Sequence, residues 1–404
     1  MARYSPLHSR TGPLCRGSRW EEWSGFLAAI MYELDHVYEY HAVRNGCGLF
    51  DVSPLLKYDI RGRDALALVD RVIVRDATKC QIGQVLYSTW CDDDGMVIDD
   101  GTIFRLGEGH FRMTATVPIL GWLEDAGTGL EAQVSDVSEE IAAVAIQGPT
   151  SRDLLQRLTN ADLLDLGFFR HTTTEVSGAS ALISRTGYTG DLGFEVFVDP
   201  DDVVHLWDSI MELGGDHQLR PAGTMALDLT RLEGGLLLLD ADFRSAFQTT
   251  FYVQKTSPFE LGLEWMVDMD KDFFIGQQAL RTEQEHGSRW LTVGLELDVV
   301  AMQGFYTEWG MPMTLPQSPW ADEVPVYADA EQTRHIGRGT SGSWSPVLKK
   351  YVVIARLEPD HAILGTEVFI EEMIEAVSYS VPATVVKMPF YDPPRKRARG
   401  VVAT

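Results

Sequence analysis

Short strand-like runs alternate with short helical ones from Leu49 to Leu213, and long helical periodicity is absent after about residue 285. Lys57 to Ile60 reads as a strand, Asp64 to Val74 as a helix, and Val85 to Trp90 as a strand ended by the turn Asp92-Asp93-Asp94-Gly95. Strands follow at Thr102 to Leu106 and Phe111 to Ala115. A second unit of the same kind has strands at Ile141 to Ile146, Ala181 to Ser184 and Phe194 to Val198, with helices near Ser151 to Leu158 and at Asp201 to Leu213. This is the pattern of two α+β units built on antiparallel sheet. Leu291 to Leu297, Lys350 to Arg356 and Glu367 to Ile370 then read as strands joined by Gly- and Pro-rich turns, as in a small β-barrel. With 404 residues, the chain exceeds one compact core. The expected division is 1–285, with two interleaved α+β subdomains, and 286–404, barrel-like.

Hydrophobic residues make up 45% of the chain and charged residues 23%, an ordinary globular balance. No apolar run reaches the roughly 18 residues of a membrane helix, and the start lacks the apolar core of a signal peptide, so a cytoplasmic protein is expected. Cys15, Cys47, Cys80 and Cys91 show no zinc-like spacing and read as small apolar filler. The net charge of −25, from 59 acids against 34 bases, argues against nucleic acid and anionic membrane as partners. The basic run Arg395, Lys396, Arg397 and Arg399 reads as a solvated tail. Trp20, Trp23, Phe26 and Tyr32 have the spacing of one apolar helical face, either buried or forming a pocket wall.

Nucleotide-binding, metalloprotease and serine-hydrolase motifs are absent, and no clustered His/Cys set marks a metal site. Four stretches stand out instead. Ser184 to Val196 carries three glycines within seven residues, which lets backbone pass close to a ligand or a strand. It leads to Glu195 between two apolar residues, where a carboxylate needs a partner; a solvent-facing hairpin is the other reading. Gly95 to Gly101 holds Asp99 and Asp100, which point to opposite faces if extended, one to solvent and one to a pocket. Asp228 to Gly235 reads as a helix ending in glycines, with Asp228 and Arg231 placed for an i, i+3 pair. Gly337 to Pro346, followed by Leu348-Lys349-Lys350, reads as a polar loop rich in donors.

In this order the four stretches resemble the glycine-cleavage T-protein (aminomethyltransferase) family and its tetrahydrofolate-dependent demethylase relatives. Further matching stretches are Gly48 to Ser53, Ala145-Ile146-Gln147-Gly148-Pro149, Asp270 to Gly276, Thr340-Ser341-Gly342 and Val386 to Phe390. The resemblance implies an α+β, three-domain, T-protein-like architecture: two antiparallel-sheet α/β subdomains and a C-terminal β-barrel-like domain around a central folate channel. It assigns Glu195 to the pterin ring, whose amide-like edge suits a carboxylate accepting two parallel N–H bonds. It assigns Asp100 to the catalytic acid near the reacting folate nitrogens, Asp99 to a lesser place beside it, Tyr188 to the pterin-contacting stretch, and Arg231 to a folate carboxylate or to orienting the acids. Tetrahydrofolate is the implied cofactor, with its N5 as the nucleophile and the protein supplying proximity and orientation.

The chain departs from the T-protein pattern at Pro54-Leu55, Gly101, Leu227, Leu236 to Leu239 and Asp240-Ala241-Asp242. These places cluster where a one-carbon donor enters. A chain of charge −25 also meets an acidic lipoyl carrier protein with long-range repulsion. The sequence therefore favours transfer of a methyl or methylene group from a small N-, S- or O-methyl donor, with Trp20, Trp23 and Trp90 as candidate pocket walls or core residues. Two alternatives stand beside it: a glycine-cleavage aminomethyltransferase acting on an aminomethyl-lipoyl carrier, and a non-catalytic folate-binding protein.

Overall fold

The computed structural model describes residues 2–400. Met1 and the last four positions of the expected 286–404 span lie outside the described residues. Five strands form an antiparallel sheet in the order Val85–Cys91, Val97–Gly107, His110–Ala115, Leu56–Gly62, Ala132–Asp136. Six strands form a second sheet in the order His171–Val176, Ala179–Ser184, Gly193–Val198, Ala142–Gln147, Cys47–Asp51, Leu219–Pro221, antiparallel except for the last pair. Six more, from Leu291–Leu297 to Val377–Val386, close into a barrel. This is the α+β, barrel-terminated architecture expected. Among the described residues no helix is long and apolar enough to cross a membrane.

The continuous apolar run of Ala142–Gln147 follows from burial on both faces. Val144 and Ile146 pack with Leu206, Trp207 and Ile210 of helix Pro200–Leu213. Ala143 and Ala145 face the other way, toward Phe50, Phe104 and Phe197. Phe104 comes from the five-stranded sheet and meets Phe197 edge to face at 5.4 Å, so the two sheets approach each other through this layer. Strand Lys350–Leu357 is double-faced in the same way. Val353, Ala355 and Leu357 fill the barrel, while Val352 and Ile354 pack outward against Leu232, Leu237 and Phe274. Each such side chain contributes about 1.5–3 kcal/mol when fully buried, so the barrel's outer face is bonded into the molecule rather than left to solvent.

Four expectations fail locally. The aromatic stretch is a β-hairpin, Trp20–Trp23 paired with Phe26–Ala29, not a helix. Its turn residues Ser24 and Gly25 have φ of 47° and 84°, the two left-handed centres that join twisted strands tightly. Gly337 to Ser345 is not a loop but part of barrel strand His335–Ser345, where the absence of side chains at Gly339 and Gly342 admits the Trp320 ring. A helix, Val299–Glu308, lies among the barrel strands, with Asp298 Oδ1 accepting from the amides of Val300 and Ala301 at 2.9 and 3.0 Å. The basic tail is docked, not solvated. Arg395 bonds Asp191 at 2.7 Å, and Arg185 Nη2 donates to the carbonyls of Arg395, Lys396 and Ala398.

Candidate active site

A cavity of about 1010 Å³ opens where the two sheets, helix Thr224–Glu233 and the N-terminal hairpin converge. Its volume suits a drug-sized ligand. Glu195 reaches it from the six-stranded sheet and Asp100 from the five-stranded one, so two carboxylates distant in sequence share one space.

Glu195 lies opposite Ala145 and Ser184 in register. The Thr186 hydroxyl donates to its Oε2, and Ser184 and Thr186 share a hydroxyl–hydroxyl bond of 2.5 Å. Oε1 accepts from none of the described residues. Burial pushes this carboxyl above its ordinary value, while Thr186 and the Lys57 charge pull it down. Lys57 is itself buried, pushed down to about 8, and its Nζ donates to the carbonyls of Ser53 and Leu55 at 2.9 and 2.7 Å. The Glu195 pocket is thus polar and short of one donor group.

Asp100 sits on strand Val97–Gly107, and its Oδ2 accepts the Tyr87 hydroxyl at 2.6 Å. Burial raises this carboxyl above its ordinary range, and the Tyr87 bond opposes the rise. Asp99 takes the opposite face, as alternation requires, but not toward solvent. It is 1% exposed and accepts the amides of Thr116, Val117 and Asp100 at 2.6, 2.8 and 2.9 Å. It does not line the cavity, and it fixes the 116–117 wall instead.

Arg231 is fully buried. Its Nε bonds Asp228 at 2.7 Å and its Nη1 bonds Asp242, so the expected surface pair is an interior one. Burial works against its charge, and Asp242 and Asp228 outweigh that, holding the guanidinium above its ordinary value. Nη2 is buried without a partner among the described residues, a donor left over for a ligand acceptor at the cavity wall. Asp242 also accepts from Thr340 at 2.6 Å and from Ser341, so the barrel strand buttresses this cation. Tyr188 lines the cavity with its hydroxyl bonded to the Leu237 carbonyl.

The tryptophans divide. Trp23 lines the cavity, while Trp20 lines a separate cleft of about 20 Å³. Trp90 is fully buried in the core beneath the five-stranded sheet, its ring behind Gly101, and it reaches neither space. Residues given no site role from sequence also line the cavity: Tyr87, Phe169 and Trp265, together with Gln147 and Thr186 of the matching stretches and Lys396 of the basic run. Of these Gln147 carried a signal, a polar residue closing an apolar strand. Of the departures from the T-protein pattern, Leu55, Gly101, Leu227, Leu236 to Leu239 and Asp240 fall on the cavity wall, whereas Pro54 lines the small cleft and Ala241 and Asp242 line neither.

With this geometry in view, residues 14–271 match the family described as the GCVT N-terminal domain, and residues 311–392 match the glycine cleavage T-protein C-terminal barrel domain. An aminomethyltransferase of Halothermothrix orenii is 33% identical over 378 residues, covering 93% of this chain and 96% of its own length. A trimethylamine-oxide aldolase of Ruegeria pomeroyi is 34% identical over 392 residues, 94% of this chain but 46% of that protein. The crystal structure of glycine cleavage system aminomethyltransferase T from Bartonella henselae superposes with a TM-score of 0.81 at 24% identity, covering 97% of this chain and 99% of that one, which establishes the shared fold. The family profiles and the near full-length identity to aminomethyltransferases lead to one conclusion: the chain belongs to the glycine cleavage T-protein family, a family of one-carbon transferases.

Proposed function

We propose that this chain moves a one-carbon group to tetrahydrofolate inside the 1010 Å³ cavity, with the donor at the aminomethyl level carried by a lipoyl protein. The observation that supports the transfer is the joint presence, on one cavity wall system, of Glu195 with an unused oxygen, Asp100 with an unused oxygen and Arg231 with an unused donor. Glu195 accepts the N–H groups of the pterin edge, and Arg231 Nη2 donates to an acceptor of the ligand. The folate would supply the nucleophilic nitrogen N5, with the carbon–sulfur bond of the donor breaking to release the lipoyl thiol and the donor's amine leaving as ammonia when the methylene bridge closes. Asp100 stands as a carboxylate to accept the proton leaving N5 and to stabilise the positive charge that develops during transfer. The apolar wall excludes water from the donor carbon.

The aminomethyl donor is preferred over a free methyl donor because several full-length relatives carry the name aminomethyltransferase. A small amine donor is the second reading. It is favoured by the leucines that replace the usual pattern on the cavity wall and by the kinship to a trimethylamine-oxide aldolase.

One experiment separates them. The protein is incubated with tetrahydrofolate and either aminomethyl-lipoyl carrier or a panel of methylated amines and sulfonium compounds, and folate products and ammonia are followed. Methylene-tetrahydrofolate with ammonia from the carrier alone is the expected result. Turnover of a free methyl donor without carrier would reverse the order of the two readings, and absence of folate binding would remove both. Asp100→Asn is expected to lower kcat by about 10²- to 10⁴-fold, the range of one general acid–base group, with folate affinity kept. Unchanged turnover would displace Asp100 from its role.

A further inference from the structure

Tyr87 and Asp100 are diagonal neighbours across paired strands: Tyr87 lies opposite Thr102, and Asp100 opposite Thr89. Diagonal pairs are within reach of an aromatic side chain, and here the phenol spans the gap at 2.6 Å. Tyr87 is held on its outer side as well. Arg75 Nη1 donates to its carbonyl at 3.1 Å, the Arg75 guanidinium lies 5.4 Å over the Trp265 ring, and that ring is 6.4 Å from the Tyr87 ring. Among the described residues, Tyr87 is the one side chain that hydrogen-bonds Asp100, and no residue donates to Oδ1.

We propose that Tyr87 is a positioning residue for the transfer: its hydroxyl pins Oδ2 of Asp100 and leaves Oδ1 turned to the cavity as the acceptor that meets the folate. The proposal rests on the reading of Asp100 given above. Two consequences follow from the geometry. The carboxylate cannot rotate freely, since one oxygen is tethered to the edge strand. The same bond opposes the burial that raises the Asp100 carboxyl. Tyr188 from the glycine-rich segment feels the Asp100 charge, and Arg231 with Asp228 from the helix, Glu195, Arg75 and Asp240 share the cavity wall, the Arg231 guanidinium already engaged by Asp228 and Asp242. The phenol remains a donor throughout, because burial, then the Asp100 charge, pushes Tyr87 well above its ordinary value.

The test reads the carboxyl directly. In the full-length protein with ¹³C-labelled aspartate, the Asp100 resonance is identified by its loss in Asp100→Asn and titrated without folate. Tyr87→Phe is expected to move the midpoint up by about one pH unit, a tenfold change in proton affinity. The acid limb of kcat moves with it, so that activity falls about tenfold on the acid side of the wild-type midpoint, only about twofold near neutrality, and recovers at higher pH, with the dissociation constant for tetrahydrofolate unchanged. Replacement of Tyr87 by 3-fluorotyrosine keeps the shape and strengthens the donor, and the midpoint is expected to move down. A midpoint that stays put in both variants, or a loss of kcat uniform across pH, overturns the proposal. Failure of the folate reading looks different, because the wild-type protein then transfers nothing to tetrahydrofolate while the titration still reports on Tyr87.

Discussion

At the residue scale, the site is made of charged groups gathered on the wall of one cavity. Glu195 stands out in sequence because a carboxylate between Phe194 and Val196 on a strand needs a reason to be there. The structure shows it facing the cavity with one oxygen engaged by Thr186. That placement has a stability consequence of definite sign. Burial raises the carboxyl in the folded state, so the native protein binds this proton more tightly than the unfolded chain does. The resulting destabilisation is absent below the ordinary glutamate value near 4.3, grows as pH rises toward the folded value, and is complete above it. Glu195→Gln removes it while keeping the shape. The variant is expected to melt at higher temperature than wild type at pH 7.5 and to lose that advantage near pH 4. It is also expected to bind tetrahydrofolate about 10- to 100-fold more weakly, the worth of hydrogen bonds to a charged acceptor. Calorimetric melting across pH and folate titration check both, and a variant less stable than wild type at pH 7.5 would contradict the sign. Asp99 and Asp100 show what alternation conveys and what it omits. Period two separates their faces, but which face meets the cavity is set by the partner sheet. Solvent on the other face was the wrong expectation, because the 116–117 turn covers Asp99.

At the scale of elements, the strands with apolar runs are legible because burial on one or both faces leaves a simple pattern, as in Ala142–Gln147 and Lys350–Leu357. The misread elements have their determinants elsewhere. Trp20 and Trp23 mimic a helical face by spacing, while the deciding residues are Ser24 and Gly25 of the turn. Strand His335–Ser345 looks like a loop because its small residues are shaped by Trp320, distant in the pattern. The docked tail depends on Arg185, more than two hundred positions away. The glycine-rich segment is a case where the cause is now specific. A Cβ at Gly187 or Gly193 would run into the Gln147 carboxamide. That carboxamide donates to the carbonyls of Thr186 and Phe194 at 3.2 and 3.4 Å and accepts from Thr189 at 3.0 Å. The glycines therefore make room for a side chain that ties this segment to the sheet. Gly187→Ala is expected to cost about 1–3 kcal/mol, as overpacking does. In a Gln147→Ala background most of that cost should vanish, a coupling between contacting sites that a double-mutant cycle in urea measures. Additive effects would show that the glycine is needed for something other than this contact.

At the scale of the whole molecule, the cavity exists because elements far apart in sequence are locked together by buried polar contacts. Asp242 ties Arg231 of the helix to Thr340 and Ser341 of the barrel. Arg44 binds Glu233 at 2.7 Å, and Ser345 of the barrel reaches the same carboxylate at 2.5 Å. No local pattern reveals that Asp100 and Glu195 face one space; that much came from the order of motifs shared with the T-protein family. The same global view bears on the donor. The chain carries a net charge of −25, and a lipoyl carrier of acidic character approaches it against a repulsive field. Screening shortens that field from a Debye length of about 30 Å at 0.01 M salt to about 8 Å at 0.15 M. If a carrier delivers the aminomethyl group, its kcat/KM should therefore rise several-fold between those salt concentrations, through faster encounter rather than through kcat. A small cationic donor, a methylated ammonium or a sulfonium, should instead slow as salt rises in the same buffers, since the field of the −25 chain attracts it. Stopped-flow measurement of carrier association, alongside steady-state rates, distinguishes the cases. A carrier rate that falls with salt would mean that a local basic surface governs docking against the net charge. The described tail offers little for that role, because Arg395 is already paired with Asp191 and Arg397 with Asp392.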